Sequence, residues 1–246
     1  MAEAPPRVLP PRRLRGRVGG ATMVGMGSDE ATIEPAGNGG HRSRPERGRG
    51  AGMNDTYARL PDDLPVPHDD GAAAGLVGKW LPDLALPSTL GGELRLPDAA
   101  AGLLVAYVYP MTGTPGRGLP EGWDDIPGAR GCTPQSCAYR DALAEFEQFG
   151  ASLIGISAQT AAEQAEFAGR EHIPYPLLSD DGLRLPGALG LPTFEAEGRT
   201  FYRRLTLVAE AGRIVKVFYP VFPPDRDAAE VLAWLRDRAS SPEGGR

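Results

Sequence analysis

The sequence predicts an α/β domain in which a mixed central sheet is flanked by helices. Three observations carry that prediction. The run Leu103-Leu-Val-Ala-Tyr-Val-Tyr109, bounded by Gly102 and Pro110, is continuously apolar, as a strand covered on both faces must be. From Tyr139 onward, helical and extended patterns alternate along the chain. Near the end, two β-rich runs joined at Glu210-Ala-Gly212 read as a hairpin, and a helical pattern follows them.

Residues 1–52 stand apart from this pattern. They hold 11 Gly, 6 Pro and nine Arg against five acids, with no apolar period of 2 or 3.6. Such a segment buries too little apolar surface to offset its ordering entropy, so a disordered tail is expected. It reads either as an Arg-rich tail or transit peptide, or as an upstream extension with translation starting at Met53. Residues 53–77 are expected to be a linker, and 78–240 the folded domain.

Within the domain, residues 84–86 and 93–96 are short strands between Pro and Gly–Gly turns. The 103–109 strand leads into a long Gly- and Pro-rich loop that runs to Thr133. Tyr139, Ala142, Leu143, Phe146 and Phe149 then recur at helical spacing, with Gly150 as the stop. Residues 152–157 read as a strand, 161–171 as a helix entered through Thr160, and 176–178 as a short extended piece. Residues 181–189 form a helix interrupted by Pro186. The hairpin runs are 201–208 and 213–219. Asp225 opens a last helix with Ala229, Val231, Leu232 and Leu235 inward. This succession is that of a thioredoxin-like sandwich.

Composition narrows the function. The chain has 246 residues, 41% of them apolar, and a formal net charge of −6. The domain has no basic run, which argues against nucleic acid as a partner. The longest apolar stretch, 103–109, is far short of the roughly 20 residues of a membrane helix. No segment at the N-terminus has the order of a secretory signal. A cytoplasmic protein without membrane contact is therefore expected. Nearly all positive charge is Arg, Lys79 and Lys216 being the two lysines.

Two cysteines are too few for a disulfide framework, yet they lie five residues apart in Gly131-Cys-Thr-Pro-Gln-Ser-Cys137. Pro134 suits the first position of a helix and Thr133 can cap it. Cys132 then sits at a helix N-terminus, where free N–H groups and the dipole stabilise a thiolate, and Arg130 adds positive charge. A thiolate is the form that attacks an electrophile. On an ideal helix, Cα atoms five apart are separated by roughly 8–9 Å, whereas a disulfide needs less than about 7 Å. If the two cysteines pair, the first turn must unwind. Both also read as ordinary core thiols. No His lies close enough in sequence to complete a zinc site, so no metal is expected.

At these residues the sequence resembles the peroxiredoxins, in particular the peroxiredoxin Q (bacterioferritin comigratory protein) branch. That branch has a strand ending Tyr-Pro, three residues, then Thr-Pro-Gly-Cys-Thr, a second cysteine five on, and Phe-Arg-Asp. Here stand Tyr109-Pro110, Thr114-Pro115-Gly116, Cys132-Thr133, Cys137 and Tyr139-Arg140-Asp141. Gly155-Ile-Ser157, Pro174-Tyr-Pro-Leu-Leu-Ser-Asp180 and Arg204-Leu-Thr-Leu-Val208 are similar to later segments of the branch. The likeness covers about residues 78–238. One departure is clear: the expected cysteine is Arg117, and residues 117–131 intervene before Cys132.

The resemblance implies a thiol-dependent peroxidase acting on hydrogen peroxide or alkyl hydroperoxides, with no cofactor. Cys132 would be the attacking thiol, Cys137 its resolving partner, and Arg204 the cation that holds thiolate and peroxide. Arg203 is the neighbour on the opposite strand face, so strand register decides between them. Thr114, reaching back if the insertion loops out, would supply the hydroxyl that binds the peroxide; otherwise that role passes to Thr133 or is lost. Pro110 would line the substrate site. Leu119, Trp123 and Ile126 are apolar anchors that would let the insertion pack as a lid, rather than run as a surface excursion. A thioredoxin-like dithiol would be the reductant, and the chain a monomer or homodimer. The competing readings are a thiol–disulfide redox sensor, which would favour Cys-x-x-Cys, and a non-catalytic redoxin interaction module.

Overall fold

The computed structural model describes Leu60, Pro61 and residues 63–241. The expected tail over 1–52 lies outside the described residues, as do residues 53–59 of the expected linker. In chain order the elements are β1 (Ala85–Pro87), β2 (Glu93–Arg95), α1 (Leu96–Ala99), β3 (Leu103–Val108), α2 (Cys132–Asp141), α3 (Leu143–Gln148), β4 (Ala151–Ser157) and α4 (Ala161–Arg170). There follow β5 (Leu177–Ser179), α5 (Arg184–Leu189), β6 (Thr193–Ala196), β7 (Arg199–Tyr202), β8 (Leu205–Glu210), β9 (Arg213–Phe218) and α6 (Asp227–Ser240). Short 3-10 turns lie at Trp123–Asp125 and Pro224–Arg226.

The central sheet has the order β5-β4-β3-β8-β9, with β3, β4 and β5 parallel and β8 and β9 antiparallel to their neighbours. β3 is the middle strand, which is why its sequence does not alternate. Leu104, Ala106 and Val108 enter one core with Leu86, Leu96, Leu185 and Leu189. Val105, Tyr107 and Tyr109 enter the other, with Tyr139, Phe146, Phe167, Val231, Leu232 and Leu235 from α2, α3, α4 and α6. The first residues of the expected linker stretch that pack inward are Ala73 and Leu76, both buried.

Four details differ from the sequence expectation. The helix predicted around Tyr139 is two helices, because Ala142 leaves helical geometry at φ −95°, ψ 1°. Pro186 does not interrupt α5; it is the third residue of that helix, where a backbone N–H has no partner to lose. The last helix starts at Asp227, and Ala228 rather than Ala229 faces inward. Finally, the 201–208 run is cut in two. Arg203 and Arg204 separate β7 from β8, since the Arg203 N–H bonds to Pro192 and the Arg204 side chain turns inward to loop carbonyls.

α4 is entered through a reciprocal cap: Thr160 accepts from the Glu163 N–H while Glu163 accepts from the Thr160 N–H. Gly155 faces Tyr107 across the parallel pair β3–β4. A Cβ there would lie 2.7 Å from the Tyr107 ring and from Leu177. Without that close approach Tyr107 could not reach Ser136 of α2, to which its hydroxyl donates at 3.1 Å. Gly155→Ala is therefore expected to destabilise the fold by roughly 1–3 kcal/mol through overpacking, measured as a lower denaturation midpoint in urea.

Candidate active site

Cys132 is the first residue of α2, which starts two positions earlier than a cap at Thr133 would place it. The helix is entered through Gly131 at φ 100°, a left-handed conformation that glycine adopts without strain. A Cβ on Gly131 would strike Pro224 and lie 2.7 Å from Leu60. Thr133 makes no capping bond, and Pro134 falls third in the helix, where its missing N–H is still harmless. The Cys132 thiol is buried at the helix's positive end and reaches the Ala129 carbonyl at 3.7 Å.

Arg204 comes to this sulfur from the break between β7 and β8. Its Nη2 lies 3.2 Å from Cys132 Sγ, and the residue is only 3% exposed. The same nitrogen donates to the carbonyls of Ala129 (3.2 Å) and Arg130 (3.0 Å), and Nε to that of Gly128 (3.3 Å). Nη1 donates to the side-chain oxygen of Gln135, one turn along α2 from Cys132. Arg203 goes elsewhere, donating to the Thr193 carbonyl at 3.2 Å. Since these residues lie between strands, the expected face alternation does not separate them; the loop carbonyls do.

Gln135 connects the cation to a buried acid that the sequence did not single out. Its Nε2 donates to Asp227 Oδ2 at 2.7 Å, and the same oxygen accepts from Thr206 (2.7 Å) and Tyr139 (2.9 Å). Asp227 Oδ1 is buried and has no hydrogen-bond partner among the described residues. Burial pushes this carboxyl above its ordinary value, against the pull of Thr206, Gln135, Tyr139 and the Arg204 charge. An Asp opening a helix reads as a cap, so nothing local marked it. Gln135 stood inside the cysteine motif, one helical turn from Cys132, which is the signal that places it on the same face.

The 117–131 insertion packs through its apolar anchors rather than running as a surface excursion. Trp123 is buried, its ring 4.9 Å from Phe201 and 5.7 Å from Phe194. Leu119, Ile126 and Ala129 join that cluster. Arg130 pairs with Asp124 at 3.0 Å. A cavity of about 10 Å³, one water molecule in size, opens beside Cys132 between Met111, Gly113, Leu119, Trp123, Arg130 and Thr133. Thr114 does not line it. It lines a neighbouring cavity of about 110 Å³ that shares Met111, Gly113 and Leu119 with the first. Pro110 is buried, its carbonyl accepting from Ser157 at 3.0 Å.

Cys137 is half-buried on α2, and both cysteines are free thiols. Its Sγ donates to Glu171 Oε2 at 3.8 Å, at the end of α4. Between the cysteines, Ser136 is held by Tyr107 and by Tyr175, whose hydroxyl donates to the Ser136 carbonyl at 2.9 Å. Burial pushes the Cys137 thiol up; Arg140 opposes this and the Glu171 carboxylate adds to it. Among the described residues no group of three or more His, Cys, Asp or Glu side chains is placed to hold a metal ion.

Residues 76–232 match the redoxin family model. The chain belongs to the redoxin family. Within that family its relatives lie in the peroxiredoxin Q and bacterioferritin comigratory protein branch. This redoxin is 30% identical over 159 residues to the chloroplastic peroxiredoxin Q of Arabidopsis thaliana, covering 65% of the chain and 66% of that relative. It is 28% identical over 165 residues to peroxiredoxin Bcp of Bacillus subtilis, covering 65% of the chain and 95% of the relative. Among solved structures, BcpB of Mycobacterium tuberculosis superposes with a TM-score of 0.54 at 29% identity, over 65% of this chain and 96% of that one. The bacterioferritin comigratory protein of Xanthomonas campestris, studied for alkyl peroxide reduction, superposes at 0.51 with 25% identity, over 72% and 98%. The thioredoxin-like fold of this redoxin thus agrees with that of its structural neighbours.

The raised Asp227 carboxyl makes a pH prediction. Its folded value lies above its unfolded one, so the folded state takes up the proton first as pH falls. This group's contribution to stability is smallest above the folded value and grows as pH falls through it towards about 4. Asp227→Asn retains an acceptor for the three bonds and carries no charge. The wild type is expected to gain stability relative to Asp227→Asn between pH 7 and about pH 4.5, read from urea unfolding at each pH.

Proposed function

We propose that this chain is a thiol-dependent peroxidase that reduces hydrogen peroxide or alkyl hydroperoxides at Cys132. The observation that carries the reading is the Arg204 guanidinium 3.2 Å from a cysteine sulfur at the first position of a helix, beside a cavity. Cation, helix dipole and free N–H groups all face the charge that develops on a departing oxygen. The thiolate attacks the terminal peroxide oxygen, the O–O bond breaks, and the product is Cys132 sulfenic acid with water or an alcohol. Thr133, which lines the small cavity, takes the hydroxyl position beside the peroxide; Thr114, which lines the larger neighbouring cavity, shapes the approach to it.

Cys137 then condenses with the sulfenic acid, water leaves, and a disulfide forms. Cys132 and Cys137 occupy one intact helix, so this step needs the first turn to open. A thioredoxin-like dithiol returns both thiols by exchange. Among the described residues no helix is long and apolar enough to cross a membrane. The cytoplasm, with its dithiol reductants, is the proposed location, and a monomer or homodimer the proposed state. The small cavity at Cys132 is the observation that favours the rival, a redoxin module without turnover.

Intact mass and free-thiol count after one equivalent of hydrogen peroxide test the reading. Loss of both thiols and about 2 Da (two hydrogens) is expected in the wild type. Cys132→Ser should abolish the reaction, and Cys137→Ser should stop it at the sulfenic acid. Arg204→Lys, which keeps charge but not the planar fork, is expected to slow the first step roughly a hundredfold. Thiols that stay unreacted would establish the non-catalytic module; a disulfide without turnover would establish a sensor.

A further inference from the structure

We propose that Glu171 is the proton acceptor for Cys137 when that thiol condenses with oxidised Cys132. The inference rests on the reading of Cys137 as the resolving thiol and adds the group that activates it. Glu171 Oε2 accepts from Cys137 Sγ at 3.8 Å, and such contacts tighten as a reacting geometry forms. The carboxylate is braced on its other oxygen, Oε1, by Arg170 Nη1 at 2.5 Å. Its backbone carbonyl is held by Arg140 Nη1 at 2.6 Å, which ties the end of α4 to α2. The charged and titratable groups around the thiol are Arg140 and Asp141 on its own helix, Glu171 with Arg170 on α4, and exposed His172 beside them.

The thiol needs such a partner. Burial and the neighbouring carboxylates push Cys137 up, so little thiolate exists at neutral pH without a base. In the step itself Cys137 gives its proton to Glu171 as its sulfur forms a bond to Cys132 sulfur. The S–O bond of the sulfenic acid breaks with its electron pair on oxygen, and a proton, from Glu171 or solvent, completes water. Two sulfurs are joined, the peroxide having supplied the oxidising equivalents beforehand. Arg170 also donates to the Gly113 carbonyl at 3.0 Å, so the base is mounted on a side chain anchored to the loop before α2.

Simple electrostatics and proton transfer predict opposite signs, which makes the test decisive. Removing the Glu171 charge relieves repulsion of the Cys137 thiolate, and by itself would speed disulfide formation. Removing a proton acceptor slows it. Full-length wild type, Glu171→Gln and Glu171→Asp would be mixed with one equivalent of hydrogen peroxide and quenched over time for mass. In Glu171→Gln, sulfenic acid should appear at the wild-type rate, showing an intact first site. Its conversion to disulfide should be roughly tenfold slower, less than the roughly hundredfold of a fully rate-limiting base because helix opening shares control. That conversion should recover as pH rises, and excess peroxide should raise the fraction carrying about 32 Da (two oxygens) on Cys132. Glu171→Asp should restore part of the rate. Unchanged or faster disulfide formation in Glu171→Gln overturns the proposal while leaving Cys137 as resolving thiol. A wild type that never forms the Cys132–Cys137 disulfide overturns the resolving role instead, and this proposal with it.

Discussion

A guanidinium that is 3% exposed must be matched by partners on every side, and at Arg204 that requirement shapes the whole neighbourhood. Three consecutive carbonyls, Gly128, Ala129 and Arg130, turn towards it, which sets the path of the loop into α2. Gln135 relays the charge to Asp227, and Asp227 in turn ties together α2, β8 and the start of α6. Leaving one polar group of such a buried network unsatisfied costs on the order of 1–3 kcal/mol, so the network is structural as well as chemical. The sulfur of Cys132 shares Nη2 of the same cation with the Ala129 and Arg130 carbonyls. Fold and reactivity therefore draw on one set of contacts.

The insertion rewrites the approach to that sulfur. Its Trp123 and Leu119 build a small apolar cluster on the β6–β7 hairpin and wall the cavity at Cys132. Its last residues supply the carbonyls that Arg204 needs, and Ala129, three before Cys132, offers only its backbone there. Thr114 is left at the larger neighbouring cavity, among Arg117, Glu163, Glu197 and Arg199.

The two cysteines share a helix whose middle is anchored, not loose. Tyr107 and Tyr175 hold Ser136 from the sheet side, and Tyr107 stacks on Tyr139 at 4.6 Å. Each such bond contributes about 1 kcal/mol net, so opening one turn stays within the range of local unfolding. Arg140, donating to the Glu171 carbonyl, holds the far side of the same helix against the end of α4.

Local signals in the sequence determined the doubly covered middle strand, the helix entry at Thr160, the Gly150 stop and a cysteine at a helix start. Each depends on neighbours within a few residues, where periodicity, capping and backbone preference act. The split of the 201–208 run was illegible because an apolar pattern does not reveal that two arginines turn inward between strands. Tertiary structure alone decided that Arg204, not Arg203, meets Cys132 across 72 positions, and that Gln135 meets Asp227 across 92. It also decided that Thr114 stands away from the sulfur and that Glu171 stands beside Cys137. Those are encounters between distant segments, and their geometry follows from sheet order and core packing, which no short window of residues contains.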